Sequence, residues 1–320
     1  MTGGCGFIGS HLTRHLINAG HEVLVLDNLS TGKTANLLEK VEFIQGDILD
    51  TALLAKWMSQ VDGCFHLAAA VSVEFCHREW AYANQVNLTG TINVFNAARK
   101  GRSGKPIPVV FASSAAIYGD NPDLPLAETA TPRPLNAYGA DKLGCEYHAR
   151  VATHIHGVPT TGLRLFNVYG PGQDPHNMYS GVITRFLNQM LQQHTITIHG
   201  DGEQTRDFIY VADVVEFFLA SMQQLTTQQH TIYNVCSGTA VSINQLVALM
   251  AQHFITPPQV QYTQPRPGDI RHSIGDPTQA LLALRKQTQY SLPEGLKHLI
   301  HSKPLGRADT RPTRTDIIYE

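Results

Sequence analysis

Thr2-Gly3-Gly4-Cys5-Gly6-Phe7-Ile8-Gly9-Ser10-His11-Leu12 is the stretch whose reading decides the fold. Its glycines fall at 3, 6 and 9, directly before helical apolar spacing that runs from Gly9 to Asn18. Glycines so placed allow a tight turn, close approach of backbone to a diphosphate, and close helix packing. The helix start, with Phe7 and Ile8, then offers unpaired N–H groups to phosphate oxygens. A glycine triple alone is weak evidence. Asp27, with Asn28 beside it, strengthens the reading because it ends the apolar run Glu22-Val23-Leu24-Val25-Leu26 at the expected distance. A carboxylate there accepts hydrogen bonds from an adenosine ribose and repels a 2′-phosphate, which favours NAD over NADP. Gly46-Asp47-Ile48 closes the next run, where Asp47 and Ile48 would meet adenine, or Asp47 would cap a turn. His66-Leu67-Ala68-Ala69-Ala70 ends another run with small residues beside which a cofactor can lie.

Working outward, the first half alternates short β-branched runs with helical periods. Strands are expected at 22–26, 41–44, 63–66, 107–111 and 160–165, and helices at 9–18, 51–59, 82–100 and 136–156. Such alternation implies right-handed βαβ crossovers and a Rossmann-type, doubly wound parallel sheet. The uninterrupted apolar character of the strands fits burial on both faces. After Tyr169 the pattern becomes a smaller α+β region, expected to bind substrate. Its elements are a helix at 181–191, a strand at 196–198, a helix at 211–222, a strand at 232–235 and a helix at 244–254. The organisation expected is a cofactor domain over 1–169 with returning elements near 206–236, a substrate region over 170–301, and a mobile tail over 302–320. One piece is missing. The central first strand of a 3-2-1-4-5-6 sheet should precede the glycines, yet only Met1 and Thr2 do. A start codon placed too late accounts for this better than true truncation, and an upstream extension is expected to stabilise the protein and improve cofactor binding.

Composition narrows the class. Charged residues make up 16% and apolar residues 42% of the 320-residue chain, as in soluble globular proteins. A net charge of -2 gives no footprint for nucleic acid or anionic membrane. No apolar run is long enough to span a bilayer, and no signal peptide is evident. Five scattered cysteines without a Cys-x-x-Cys pair fit a reduced cytoplasm. His148, His154 and His156 cluster without a matching carboxylate or cysteine pattern, so no metal is expected.

The chemistry rests on Tyr138 and Lys142 in Ala137-Tyr138-Gly139-Ala140-Asp141-Lys142, with Ser114 upstream. On a helix, residues four apart share a face. An ammonium beside a phenol favours the phenolate and makes a base that works near neutral pH. Taken alone, the pair equally describes a half-buried Tyr and a solvated Lys. In combination with Gly3, Gly6, Gly9, Asp27, His66-Leu67-Ala68-Ala69, Asn87 and Leu163-Arg164-Leu165-Phe166-Asn167-Val168-Tyr169-Gly170-Pro171, it resembles the extended short-chain dehydrogenase/reductase superfamily. Within that superfamily the chain is similar to the NAD-dependent nucleotide-sugar epimerases and dehydratases, the UDP-glucose and UDP-N-acetylglucosamine 4-epimerases in particular.

The resemblance implies a role for each matching residue. Tyr138 would be the base, Lys142 would hold the nicotinamide ribose and lower the Tyr pKa, and Ser114 would hydrogen-bond the reacting oxygen. Asn87 and Phe166 would line the cofactor. Asn167, Arg206 and Arg266 would meet the substrate diphosphate or sugar, and Asp269 the uridine ribose. For either arginine, a surface ion pair is the alternative. The family's dehydratases carry an acidic pair after the Ser/Thr, and its decarboxylases carry a Glu. Here those positions are Ala115 and Ala116, which favours simple epimerisation through a 4-keto sugar. Ser273 stands where relatives restricted to plain hexoses carry a Tyr, which implies room for an N-acetyl group, unless it is only a loop residue. The expected function is therefore an NAD-dependent UDP-sugar 4-epimerase acting on UDP-GlcNAc/UDP-GalNAc, on UDP-Glc/UDP-Gal, or on both. An NAD(P)-linked keto-sugar reductase and a non-catalytic nucleotide-sugar-binding homologue remain as alternatives. A homodimer formed through helices 82–100 and 136–156 is implied by the resemblance.

Overall fold

The computed structural model describes residues 1–174, 181–225, 229–265 and 270–302. Its first half follows the expected alternation. In chain order come α1 (Phe7–Asn18), β1 (Leu24–Asp27), β2 (Glu42–Gln45), α2 (Thr51–Met58) and β3 (Cys64–His66). They are followed by α3 (Val73–Arg78), α4 (Trp80–Asn84), α5 (Gly90–Ala97), β4 (Val109–Ser114), α6 (Ala137–His156) and β5 (Thr160–Leu165). The second half holds β6 (Asn167–Tyr169), α7 (Val182–Leu191), β7 (Ile196–His199), β8 (Thr205–Tyr210), α8 (Val211–Gln224) and β9 (His230–Val235). Last are β10 (Ala240–Ser242), α9 (Ile243–Ala251), β11 (Val260–Thr263), α10 (Thr278–Leu284) and α11 (Leu292–His301). The tail expected beyond Ser302 lies outside the described residues.

Every pairing in the main sheet is parallel. β2 pairs with β1, β3 with β4, β4 with β5, and β5 with β9. Between β1 and β3 stands Thr2, bridged in parallel to both Leu26 and His66. The bridge is made by Thr2 N–H to the Phe65 carbonyl, Leu67 N–H to the Thr2 carbonyl, Gly3 N–H to the Leu26 carbonyl and Leu26 N–H to the Met1 carbonyl. Met1 to Gly3 therefore run along the line where the missing central strand was expected, immediately before the glycine loop.

Both faces of this sheet are covered. Val25, Val110, Leu163 and Val235 face α1, α8 and α10, where Leu12, Leu16, Phe217, Phe218 and Leu284 pack. Leu26, Val109 and Phe111 face the other way, onto α2, α5 and α6 through Leu54, Phe95, Cys145 and Ala149. Adjacent residues of one strand thus enter opposite cores, as the pleat requires. That is why the strands lack polar alternation. Each fully buried Phe or Leu stabilises by about 1.5–3 kcal/mol. α8 and β9 return from the second half to this sheet. The remaining elements form a separate core of Tyr169, Ile183, Phe186, Ile196, Phe208, Leu246 and Leu296, beside the small sheets β10-β8-β6 and β11-β7.

The helix expected over 82–100 runs from Trp80 to Ala97 and contains a π-helical turn, Gln85–Thr89, between α4 and α5. That turn leaves the Asn87 carbonyl to accept from Thr91 Oγ1 at 2.6 Å and Cys145 Sγ at 3.2 Å. Apolar periodicity does not distinguish an α turn from a π turn, so the sequence carried no sign of it. Among the described residues, no helix is long and apolar enough to cross a membrane.

Candidate functional site

The glycine loop is shaped mostly by the chain itself. A Cβ on Gly3 would meet the backbone of Leu67 and Ala68 at 2.5–2.8 Å, and the Gly3 φ is +71°. A Cβ on Gly9 would stand 2.2 Å from the Gly3 carbonyl oxygen. Gly6 differs, because its nearest neighbour would be 3.3 Å away. Gly6 is also the N-cap of α1 and makes no side-chain cap, so the first N–H groups of the helix carry no intrahelical partner. A bare, open helix start is the arrangement that fits a diphosphate.

Asp27, at the end of β1, is buried, with Oδ2 accepting from Cys5 N–H at 3.0 Å and Oδ1 from Leu29 N–H at 2.9 Å. A carboxylate has about four acceptor sites, so two remain for ribose hydroxyls. Asp47 accepts from Asn28 Nδ2 and from Leu49 N–H, each at 2.9 Å, so it caps a turn and anchors Asn28. The Ile48 side chain is buried in the core against Gly90, and only its backbone is left to face a ligand. Leu67, Ala68 and Ala69 lie half-buried across from Gly3. Asn87 is fully buried, and its amide is engaged with Ala70, accepting from the Ala70 N–H at 2.8 Å and donating to the Ala70 carbonyl at 3.1 Å. It therefore shapes the 68–70 wall from behind.

His66 sits under this wall. Thr91 donates to the Asn87 carbonyl, so it accepts from His66 Nε2–H at 2.9 Å, and His66 Nδ1 accepts from Thr2 Oγ1 at 2.6 Å. The bond to Thr91 makes Nε2 the protonated nitrogen, and burial keeps the ring neutral. Burial first, then Lys142 and the N-terminal amine, push its pKa down to about 3.

The Ser-Tyr-Lys trio comes together where β4 ends and α6 begins. Asn136 caps α6 by accepting from Gly139 N–H at 2.8 Å. A Cβ on Gly139 would stand 2.6 Å from the Ala116 carbonyl, so this glycine lets α6 approach the turn that Ser114 opens. Ser114 Oγ accepts from Ala116 N–H at 3.1 Å, which leaves its hydroxyl proton to donate elsewhere. Lys142 is buried, gives one N–H to the Ala112 carbonyl at 2.9 Å, and has its Nζ 5.7 Å from the centre of the Tyr138 ring. Two of its donors remain for a ligand. Glycine loop, Asp27 and Lys142 all keep open bonding capacity toward the cleft, and these residues fit a dinucleotide.

Behind Ser114 runs a buried network that the motif reading did not include. Ser113 Oγ donates to Glu146 at 2.6 Å, and Arg164 binds Glu146 in a bidentate pair at 2.9 and 2.7 Å. Arg164 also donates to Tyr118 Oη at 2.8 Å, and Tyr118 donates to Asn234 Oδ1 at 2.7 Å. The signal was present in the sequence: a charged residue inside the apolar strand 160–165 needs a buried partner. Phe166 packs in this region against Tyr118, Gly275 and Cys236, nearly covered. A cavity of about 570 Å³ adjoins the ion pair and is lined by none of the candidate residues.

On the substrate side, Asn167 Nδ2 donates to the Asp207 carbonyl at 3.0 Å, and Arg206 lies next to it on β8. Ser273 is half-buried, and its N–H binds the Thr205 carbonyl at 3.2 Å. Arg266 and Asp269 fall outside the described residues. A cavity of about 400 Å³ opens here, lined by His199, Gly200, Gln204, Thr263, Ile270 and Arg271 among others. Arg271 reaches Asp201 through two bonds at 2.7 and 2.9 Å.

Comparison with known proteins places this arrangement. Residues 1–236 match the NAD dependent epimerase/dehydratase family. A putative UDP-glucose 4-epimerase of Methanocaldococcus jannaschii is 35% identical over 94% of this chain and 96% of its own length. The structure of UDP-N-acetylglucosamine 4-epimerase from Methanobrevibacter ruminantium, in complex with UDP-N-acetylmuramic acid, superposes with a TM-score of 0.88 at 35% identity, covering 93% of this chain and 95% of that one. UDP-glucose 4-epimerase of Thermotoga maritima with UDP-glucose gives 0.85 at 36% identity, over 93% and 96%. Decarboxylases and dehydratases are also among the relatives.

Proposed function

The chain belongs to the NAD dependent epimerase/dehydratase family, and within it we propose a UDP-sugar 4-epimerase that prefers N-acetylhexosamines. The observation that carries this reading is the turn after Ser114. Ala115 and Ala116 open it, and neither offers an acid or a base beside Tyr138 and Lys142. Elimination of water and assisted decarboxylation each need such a group. Epimerisation needs only the reversible redox apparatus.

Gly6 with the start of α1 would hold the diphosphate of NAD, Asp27 the adenosine ribose, and Lys142 the nicotinamide ribose. Bound there, NAD would supply the two-electron exchange that turns the sugar C4 alcohol into a ketone and back. The protein's own residues manage the proton. The Tyr138 oxygen takes it from the C4 hydroxyl and later returns it, while the Ser114 hydroxyl steadies the reacting oxygen by donating a hydrogen bond. The Lys142 ammonium beside the Tyr138 ring offsets negative charge on the phenol oxygen. Asn167, Arg206, Arg266 and Asp269 would bind the UDP portion, two guanidiniums suiting a diphosphate through their fork geometry. Ser273 leaves room where a bulkier residue would crowd a C2 acetamido group. Tyr147, Val151 and Ile155 form an exposed stripe along α6, with Trp80 exposed on α4, and a second copy of the chain is the occupant proposed for it.

The test is to incubate purified protein with UDP-GlcNAc, UDP-Glc and UDP-glucuronate and resolve the products. Interconversion of UDP-GlcNAc and UDP-GalNAc without net change at the NADH absorbance band is expected. Stoichiometric NADH consumption, or release of CO₂ from the uronate, would overturn the reading. Tyr138→Phe should lower kcat by about 10²–10⁴-fold and leave UDP-sugar binding in place.

A further inference from the structure

We propose that Asp207 is the positioning residue on which the substrate side of the cleft hangs, an inference that rests on the UDP-sugar reading above. Asp207 is fully buried at the centre of the elements that carry the substrate-facing candidates. Its Oδ1 accepts from Ser237 N–H at 2.8 Å and Ser237 Oγ–H at 2.7 Å. Its Oδ2 accepts from Gly238 N–H at 3.0 Å and Gly275 N–H at 3.2 Å. One carboxylate thus ties β8 to the turn after β9 and to the segment 270–275. Its own carbonyl accepts from Asn167 at 3.0 Å, and its chain neighbour is Arg206.

Ser273 lies two residues before Gly275 on the tied segment. That segment is further zipped to β8 by Thr205 N–H to the Arg271 carbonyl at 2.9 Å and Ser273 N–H to the Thr205 carbonyl at 3.2 Å. The four-bond clamp therefore holds the segment that carries Ser273 against β8, the strand that carries Arg206 and whose pairing with β6 places Asn167. An ionised carboxylate is the one side chain of this size that accepts four donors on two oxygens. An amide offers a single acceptor oxygen and turns N–H groups toward two of the donors. Burial raises the Asp207 pKa, and the bonds from Ser237, Gly275 and Gly238 oppose that rise without cancelling it. The carboxylate's donors, Ser237, Gly238 and Gly275, lie apart in the chain from the glycine loop and Asp27.

The test compares Asp207→Asn and Ser237→Ala with the parent protein, reading UDP and NAD affinities by calorimetry together with kcat and KM. Asp207→Asn is expected to weaken UDP binding and raise KM by tenfold or more, with kcat and NAD affinity within threefold of the parent. It should also narrow the preference between UDP-GlcNAc and UDP-Glc, since the Gly275 end of the segment that carries Ser273 loses its tie to β8. Ser237→Ala, which removes one donor and leaves the backbone bonds, should shift UDP binding in the same direction by a few-fold. A folded Asp207→Asn that binds UDP like the parent would sink the inference alone. UDP and NAD affinity falling together would also sink it, by showing a general structural role. Should Asp207→Asn not fold, unchanged UDP binding in Ser237→Ala overturns the proposal. Parent protein that binds NAD and not UDP would instead remove the UDP-sugar reading itself.

Discussion

Replacing Gly9 with alanine tests the cofactor loop at its tightest point. The added carbon would stand 2.2 Å from the Gly3 carbonyl oxygen, 2.8 Å from Gly4 Cα and 3.0 Å from the Gly3 carbonyl carbon. All three atoms are backbone, so no rotamer change relieves the clash. Restoring an ordinary carbon–oxygen contact of about 3.3 Å requires the 3–6 turn and α1 to separate by roughly 1 Å. Overpacking of this kind costs about 1–3 kcal/mol in stability. The displaced turn also carries the N–H groups aimed at the diphosphate. Each hydrogen bond to a charged group contributes about 1.5–3 kcal/mol, so losing two weakens NAD binding by roughly 10²–10⁴-fold. Gly6→Ala is the matched comparison. Its single contact at 3.3 Å should lower the melting temperature less than Gly9→Ala does, while the new methyl group occupies the more open side of the loop and weakens NAD binding. Calorimetric titration with NAD, alongside melting curves with and without NAD, measures both effects. A Gly9→Ala protein that binds NAD within threefold of the parent would refute the reasoning.

Ser273→Tyr should abolish turnover of UDP-GlcNAc and spare UDP-Glc in a product assay, and equal loss on both substrates would contradict the gatekeeper role. Glu146→Gln strands the buried Arg164 guanidinium and releases Ser113, so urea denaturation should show a loss of about 3–5 kcal/mol. A loss below about 1 kcal/mol would mean that the pair contributes little. His66 gives a pH dependence with a definite sign. Its folded pKa near 3 lies below the unfolded value, so the unfolded chain binds more protons as the pH falls. The stability held by neutral His66 is full above the unfolded pKa of about 6.5 and lost below it, by about 2 kcal/mol at pH 5. His66→Gln should remove that part of the difference between urea midpoints at pH 7 and pH 5.

Much of the fold was legible because its determinants are local. The expected strand at 160–165 coincides with β5, and helix 136–156 differs from α6 by one residue. Asn136 and Gly157 mark that helix by capping chemistry that a sequence displays directly. The short strands β6, β8 and β10 were not legible. They pair with one another across long separations, and residues such as Arg206 and Asp207 break the apolar pattern that would have announced them. The π turn at 85–89 was hidden too, since apolar periodicity is the same for an α and a π turn.

The site divides along the same line. Residue identity alone fixed the glycine triple, the Tyr138–Lys142 spacing and the missing acid at 115 and 116, because each is a statement about chemistry at a known offset along the chain. Tertiary structure decided what those offsets face. It placed Gly139 against Ala116 so that α6 can approach Ser114, tied the Asn87 amide to the Ala70 backbone, and gathered Ser237, Gly238 and Gly275 onto Asp207. Those contacts join residues far apart in sequence, and only the packing of both sheet faces sets the distances at which such groups meet.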